Sequence, residues 1–298
     1  MAKRIALGIF IVLFSLPVAV SASTSCATKY PVVLSHGMGT QSEILGLIDY
    51  WGGIPSALQD EGASVYITNV NGMDSKASKA ASWKTQVLEI LAVSGKSKVN
   101  VIGHSDGCLY TRYAISNLGM GSKVASHTSI AGPHRGSCIA DMIMGLLDTT
   151  GLTSLAGTAL DWVWEFVMGD TDPDTESQGY ELTRDYMINT FNPNVPNVTG
   201  VYYQSWAYKV TSAIGAGILT ITWLAMLPVE GANDVLVSVT SAKWGDFRGV
   251  IDGGFWGELF GGGVSHLAAV GLLTAFSIGY DAPDHFVSVV QELKSKGY

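Results

Sequence analysis

The sequence predicts an α/β fold, in which a central, mostly parallel sheet is flanked by helices. Short β-branched runs alternate with longer segments of helical spacing through the first half of the chain, which is the pattern of strand–helix–strand units. One of these runs, residues 99–102, leads directly into Gly103-His104-Ser105-Asp106-Gly107, and a helical segment follows at once. A strand, a sharp turn and a helix in direct succession indicate a crossover unit of a parallel sheet.

The predicted elements follow one another in chain order. The predicted strands are residues 30–34, 63–68, 99–102, 124–131 and 201–208. The predicted helices are residues 43–60 with a break at Gly52-Gly53, 76–93, 108–115, 266–276 and 284–296, and residues 214–227 form an uncharged apolar stretch. Since neither repeats nor an interdomain linker are visible, the sequence predicts a single domain over residues 23–298.

The first 22 residues have the pattern of a secretory signal peptide. Lys3 and Arg4 precede an uncharged apolar run, residues 5–20, and small residues then lead to a cleavage site after Ala22. A 16-residue run is short for a membrane span, which favours cleavage over anchoring. The sequence therefore predicts a secreted protein that begins at Ser23.

Charge and cysteine content exclude several classes of function. The chain has a net charge of −8, which becomes −10 once Lys3 and Arg4 are removed, so neither nucleic acid nor an anionic membrane is an expected partner. The three cysteines Cys26, Cys108 and Cys138 allow at most one disulfide and lack the spacing of a zinc site. The sequence leaves open whether Cys108 and Cys138 pair, and it predicts neither a metal site nor a cofactor.

Ser105 is the candidate nucleophile. Gly103-His104-Ser105-Asp106-Gly107 fits the G-x-S-x-G pattern, which places a serine on a tight turn at the N-terminus of a helix. Such a serine needs a histidine base and an acid, in the chain order serine, acid, histidine. His127 and His134 precede any plausible acid, so His266 and His285 remain as candidates for the base.

Several spaced motifs resemble the secreted bacterial triacylglycerol lipases of the Pseudomonas/Burkholderia type, which have the α/β-hydrolase fold. The similar stretches, in order, are Tyr30-Pro31-Val32-Val33-Leu34, His36-Gly37-Met38, Asp49-Tyr50-Trp51, Gly53-Ile54-Pro55, Val99-Asn100, Gly103-His104-Ser105, Arg112-Tyr113 and Gly132-Pro133-His134-Arg135-Gly136-Ser137. Weaker similarity continues through residues 202–206, Asn233-Asp234 and His266-Leu267. The resemblance implies a helical lid insertion at about residues 139–180.

Carried over by position, the resemblance implies that Ser105 is the nucleophile, Asp234 the acid and His266 the base. It implies that His285 is a surface residue. Asp246 and Asp252 are the competing candidates for the acid, and we expect them to be loop charges.

The oxyanion hole of this fold uses the N–H after the nucleophile and one from the loop after the first strand, here Asp106 and Met38. A carboxylate directed into the hole would oppose the oxyanion, so we expect the Asp106 side chain to point away. We expect His36 and His104 to form structural hydrogen bonds.

The sequence departs from this family at its calcium and disulfide positions. Ala268 and Leu272 stand where the family's calcium site has an aspartate and a glutamine, and a hard cation needs oxygen ligands. No cysteine occupies either disulfide position. We therefore expect no calcium, and both absences argue against a need for the family's dedicated membrane foldase.

The expected function is a secreted, monomeric serine lipase that acts on esters at an oil–water interface. The apolar run at residues 139–168 matches the lid, and its alternative interpretation is a pair of core helices. The rival functions are an esterase or polyester depolymerase without interfacial activation, and a catalytically inactive hydrolase fold that acts as a binding protein.

Overall fold

The computed structural model describes residues 23–38, 43–44, 48–147, 179–260 and 262–298. The strands in this part of the chain are β1 (Val32–Ser35), β2 (Glu43–Ile44), β3 (Ile48–Asp49), β4 (Val65–Thr68), β5 (Val99–His104), β6 (Val124–Ile130), β7 (Tyr202–Tyr208) and β8 (Asp246–Ile251). Six of them form a sheet in the order β4-β1-β5-β6-β7-β8, and every neighbouring pair is parallel. The predicted α/β class is confirmed.

The helices fill the crossovers between these strands. The first four are α1 (Ile54–Asp60), α2 (Lys76–Ser94), α3 (Gly107–Asn117) and α4 (Cys138–Ile143). Later helical segments are the π-helix Tyr186–Phe191, Asn192–Asn194, Ala213–Ala216, Thr220–Glu230, Val239–Ala242, Gly254–Phe260 and Ala282–Ser295. The limits of α2 follow from its sequence: the Ser75 hydroxyl accepts the Ser78 N–H at its start, and Gly95 at φ 65° ends it.

The core lies in two layers, one on each face of the sheet. Alternate residues of β1 divide between them, because successive side chains of a strand point to opposite faces. Val32 and Leu34 pack with α1 and the C-terminal helix, whereas Val33 packs with α2 and α3. The sheet is therefore covered on both sides, and its carboxyl edge is the place where the loops can assemble a site.

Three segments differ from the sequence-based prediction. Residues 43–49, expected to be helical, contribute the short antiparallel pair β2–β3. Residues 266–276 contain only the 3₁₀ turns Ala268–Val270 and Thr274–Phe276, because Gly271 at φ 87° and Leu273 at φ 51° break any longer helix. The edge strand β8 was not predicted, since it is nowhere fully buried and carries Gly249 at its centre.

Exposed large apolar side chains concentrate in the second half of the described chain. They lie around the Thr220–Glu230 helix, on the Gly254–Phe260 helix and in the following loop: Ile214, Ile218, Leu224, Leu227, Val229, Phe255, Trp256, Leu259, Phe260, Leu273 and Ile278. Residues 213–230 are long and apolar enough to span a membrane by length and composition, and one third of them is buried. The described chain thus presents more apolar surface than a sheet covered on both faces requires.

Candidate active site

Ser105 occupies a strained turn between β5 and α3. Its φ is 55°, a left-handed conformation that a non-glycine residue adopts only where the surrounding structure enforces it. A Cβ on Gly103 would lie 2.8 Å from the Gly107 backbone, and a Cβ on Gly107 would lie 2.1 Å from the Ser35 carbonyl oxygen. The two glycines are therefore needed for close packing of the turn. This is the strand–serine–helix geometry that the sequence predicted.

Asp234 and His266 form a buried pair. His266 Nδ1 lies 2.8 Å from Asp234 Oδ2, and the side chains are 4% and 1% exposed. The other carboxylate oxygen, Oδ1, accepts the backbone N–H groups of Leu236 at 3.1 Å and Val237 at 2.7 Å. Because the carboxylate is held by these two bonds and faces Nδ1, it fixes the histidine ring and leaves Nε2 free to accept a proton.

The pair lies against the serine turn. The ring centroid of His266 is 4.7 Å from that of His104, the residue directly before Ser105. A backbone bond also links the two residues of the pair, since the His266 N–H donates to the Asp234 carbonyl at 2.8 Å. The structure therefore brings the serine, the histidine and the aspartate to one edge of the sheet.

The loop after β1 touches the serine. A Cβ on Gly37 would lie 2.8 Å from the Ser105 Cβ and 3.3 Å from its Oγ, so no side chain fits there. Met38, the candidate oxyanion donor, is the next residue and is half-buried. The contact places the backbone of the first-strand loop beside the candidate nucleophile.

Asp106 carries a carboxylate that is bound within the protein. It forms buried ion pairs with Lys79 and, at 3.6 Å, with Lys76. Burial lowers the pKa of Lys79, and the charge of Asp106 acts in the opposite direction. Lys76 also binds Glu181, through its backbone N–H at 2.9 Å and its ammonium group at 3.5 Å. Sequence reasoning missed these lysines, whose one signal is that two cations lie among the buried apolar residues of α2.

The remaining histidines are held by hydrogen bonds or aromatic rings. His36 accepts the Val70 N–H at Nε2 and donates from Nδ1 to the Gly37 carbonyl, and burial lowers its pKa to about 4. His127 pairs with the Thr111 hydroxyl at 2.9 Å. His285 is not the surface residue that was expected: its ring lies edge-on 4.9 Å from Trp206, and burial lowers its pKa to about 4.

The next features concern possible metal ligands and the state of the three cysteines. Among the described residues, no group of three or more His, Cys, Asp or Glu side chains could hold a metal ion. Ala268 and Leu272 are buried in the core. Cys26, Cys108 and Cys138 are all buried free thiols, so the open question of a Cys108–Cys138 bridge is answered: none forms. Burial raises the pKa of Cys108 to about 12, which makes this neighbour of the serine turn inert as a nucleophile.

The predicted signal peptide, residues 1–22, and most of the predicted lid segment, residues 148–178, lie outside the described residues. The described part of the lid segment begins with α4, whose Cys138, Ile139 and Met142 are buried in a cluster with Ala225 and Met226. Arg184, after the lid segment, donates its backbone N–H to Asp141 at 2.9 Å. A direct hydrogen bond thus joins the chain on the two sides of the predicted lid segment.

The chain is similar in sequence to bacterial lipases. The palmitoyl protein thioesterase family model matches residues 31–168. A triacylglycerol lipase of Burkholderia plantarii is 38% identical over 189 residues, which are 61% of this chain and 52% of the relative. A triacylglycerol lipase of Vibrio cholerae is 32% identical over 238 residues, which are 73% of this chain and 75% of the relative. The chain thus spans about half of the first relative and three quarters of the second.

Solved structures share its architecture. The crystal structure of a Bacillus licheniformis lipase in its mature form has a TM-score of 0.64 at 18% identity and covers 88% of this chain and 92% of its own. A metagenomic carboxyl esterase has a TM-score of 0.67 at 17% identity, with 98% and 82% covered. At such identities the likeness concerns the fold alone, and it establishes the α/β-hydrolase fold.

Proposed function

The chain belongs to the bacterial triacylglycerol lipase family, and on that premise we propose that it is a secreted serine lipase that hydrolyses carboxylic esters of fatty acids. The observation that carries the proposal is the buried Asp234–His266 pair beside a serine held in a left-handed turn. These are the three side chains that acyl transfer by a serine nucleophile requires.

In the proposed reaction, His266 Nε2 takes the hydroxyl proton of Ser105 as Oγ attacks the ester carbonyl carbon. The tetrahedral intermediate then collapses: the bond to the alcohol oxygen breaks, and His266 returns the proton to the departing alcohol. A water molecule, deprotonated by the same histidine, then attacks the acyl-enzyme; the bond from the acyl carbon to Ser105 Oγ breaks, His266 returns the proton to Oγ, and the fatty acid leaves. Asp234 stabilises the imidazolium form of His266 through the Nδ1 bond.

The backbone N–H groups of Met38 and Asp106 are the proposed donors to the oxyanion. Support for Met38 comes from the contact between Gly37 and Ser105, and support for Asp106 from its place directly after the nucleophile. The buried lysines matter here, because they hold the Asp106 carboxylate and so keep its negative charge from the oxyanion. Asp106 therefore supplies a backbone donor while its own charge is compensated.

The test of this mechanism is a set of four single variants. Ser105→Ala and His266→Ala should each lower kcat by three or more orders of magnitude, roughly the cost of removing one member of a triad. Asp234→Asn should lower it by roughly 10⁴. His285→Ala should remain active, because His285 packs among aromatic rings. An inactive His285→Ala variant combined with an active His266→Ala variant would refute the assignment of the base.

The exposed apolar surface supports lipid as the substrate. Phe255, Trp256 and Phe260 lie more than half exposed on one helix, and such side chains lose little in transferring to an oil–water interface. The expected rate of ester hydrolysis therefore rises sharply once a p-nitrophenyl ester passes its solubility limit. Trp256→Ser should weaken this rise and leave hydrolysis of the dissolved ester unchanged. Val93→Ser, at an isolated apolar residue that is 75% exposed on α2, is the matched control.

The same experiments separate the rival functions. A smooth saturation curve through the solubility limit would favour an esterase or polyester depolymerase. It would also favour the alternative interpretation of residues 139–168 as a pair of core helices. A complete lack of turnover of p-nitrophenyl esters would favour an inactive binding protein.

We propose further that the protein is a monomer, needs no foldase and is cleaved after Ala22. Light scattering, refolding of the purified chain alone and the mass of the exported protein test these three proposals.

A further inference from the structure

A chain of buried hydrogen bonds runs from the loop after β1 to the candidate base. The Gly37 N–H donates to the Tyr50 hydroxyl oxygen at 2.9 Å, and the Tyr50 hydroxyl bonds to His104 Nδ1. On the other side of the same ring, His104 Nε2 lies 3.1 Å from the His266 carbonyl oxygen. Tyr50 is 3% exposed and His104 is 1% exposed, so water does not compete for these bonds.

One arrangement of protons satisfies every member of the chain. The carbonyl of His266 can only accept, so His104 Nε2 must carry the proton and Nδ1 must be the acceptor. The Tyr50 hydroxyl then donates to Nδ1, and its oxygen is left to accept the Gly37 N–H. Burial, and after it the neighbouring His266, lower the pKa of His104 well below its usual range, while burial raises that of Tyr50. Both groups stay neutral, as the bonds require.

This chain of hydrogen bonds joins parts of the site that come from distant regions of the sequence. Gly37 contacts Ser105 and immediately precedes Met38, the proposed oxyanion donor. His104 immediately precedes Ser105 itself. His266 is the proposed base, and its ring packs against His104 at 4.7 Å. A displacement of Tyr50 or His104 would therefore move the oxyanion loop and the base relative to the nucleophile.

We propose that Tyr50 and His104 are positioning residues for the proposed hydrolysis, which fix the oxyanion loop and the base in register about Ser105. The proposal rests on the proposed function. Neither residue exchanges a proton with the substrate; both act through the backbones of Gly37 and His266. Their contribution is geometric and is absent from the ground state, since the oxyanion and the imidazolium exist together only in the tetrahedral intermediate and the transition states on either side of it.

The first test removes a single oxygen atom. Tyr50→Phe keeps the ring and leaves both the Gly37 N–H and His104 Nδ1 without their partner. On a dissolved p-nitrophenyl ester, kcat should fall by roughly 10- to 100-fold, the effect expected of a misplacement below about 1 Å, while KM stays within roughly twofold. The affinity of a boronic acid that forms a tetrahedral adduct with serine should fall by the same factor as kcat.

A second buried tyrosine of the protein provides a matched control. The Tyr203 hydroxyl also accepts a backbone N–H, that of Val198 at 3.1 Å, but it lies at the opposite end of the sheet, near the start of β7. Tyr203→Phe therefore breaks the same kind of bond and should lower the melting temperature without changing kcat. If Tyr50→Phe and Tyr203→Phe change the melting temperature and kcat alike, the bonds serve stability alone and the proposal is wrong.

A double-variant cycle tests whether the two residues act as a unit. If they do, His104→Phe and the Tyr50→Phe/His104→Phe double variant should be about equally impaired in kcat, because breaking either link disconnects the chain. Multiplicative losses would overturn the coupling. Ser105→Ala in the same assay keeps the two proposals apart: an active Ser105→Ala variant refutes the proposed mechanism, whereas an inactive one beside a fully active Tyr50→Phe variant refutes only the positioning role.

Discussion

The buried ion pairs of Asp106 allow the loss of free energy of unfolding in an Asp106→Asn variant to be predicted. Asp106→Asn keeps the shape of the side chain and removes its charge, which leaves Lys79 and Lys76 facing an amide. Lys79 has no exposed side-chain surface, so its ammonium group cannot turn to water. Breaking a buried ion pair by neutralising one member costs about 3–5 kcal/mol, because the remaining charge stays buried without compensation.

Removing one of the two lysines should cost less than removing the carboxylate that they share. Lys79→Met removes one cation from a group in which Lys76 still lies 3.6 Å from Asp106, so the carboxylate keeps a partner and the loss should be smaller than for Asp106→Asn. In the Lys79→Met/Asp106→Asn double variant, the remaining pair of Lys76 and Glu181 stays intact. The double variant should therefore lose less free energy of unfolding than the two single losses added together.

Urea denaturation at pH 7 measures all three free energies. The expected loss for Asp106→Asn corresponds to a melting temperature lower by roughly 6–20 °C in a domain of this size. Asp252→Asn is the control: its pair with Lys209, at 3.0 Å, is partly exposed, and such pairs contribute about 0–1 kcal/mol. If Asp106→Asn costs no more than Asp252→Asn, the carboxylate is not the counter-charge that holds these lysines in the core.

Two further predictions concern metal and acid. Activity and melting temperature should be indifferent to EDTA, since Ala268 and Leu272 offer no oxygen ligands, and a fall restored by calcium would contradict this. Burial lowers the pKa values of His36 and His127 to about 4 and about 3, so between pH 6.5 and about 4 the unfolded chain binds protons that the folded chain does not. Stability should fall as the pH falls through this range, by about 1.4 kcal/mol per pH unit for each histidine, and His127→Leu should reduce the slope measured by urea denaturation.

The sequence predicted the elements whose signals are local. The β-branched run before Ser105 and its flanking glycines are read within ten residues, and both the strand β5 and the turn lie where they were expected. Helix α2 was predicted almost to its ends, because Trp83, Val87 and Leu91 recur at helical spacing and are all buried. The spacing of apolar residues and the residue types of a turn are enough to predict a segment whose structure depends mainly on its own sequence.

The parts that were missed depend on distant contacts. Strand β8 is an edge strand in which exposed and half-buried positions alternate, so it has no fully buried face, and Gly249 interrupts its pattern of side chains. The ion pairs of Asp106 join the serine turn to α2, and Lys76 of that helix also binds Glu181, 105 residues away along the chain. The hydrogen bonds of Tyr50 and His104 could not be predicted from the sequence for the same reason. Tertiary structure alone brings such groups together, and no window of sequence contains them.

The loop that carries His266, the proposed base, is held by apolar packing and backbone hydrogen bonds. Ala268, Ala269 and Val270 follow the histidine in a 3₁₀ turn, and each is fully buried against a core that includes Phe286 and Val289 of the C-terminal helix. A backbone bond from His266 to Asp234 fixes the start of the loop, and one from Leu272 to Leu267 closes it at 3.0 Å. Buried apolar surface contributes roughly 25 cal/mol for each Å² removed from water, so three small side chains and a leucine can supply several kcal/mol. Apolar packing thus anchors the loop at Ala268 and Leu272, the two positions where the resemblance to the lipase family implied calcium ligands.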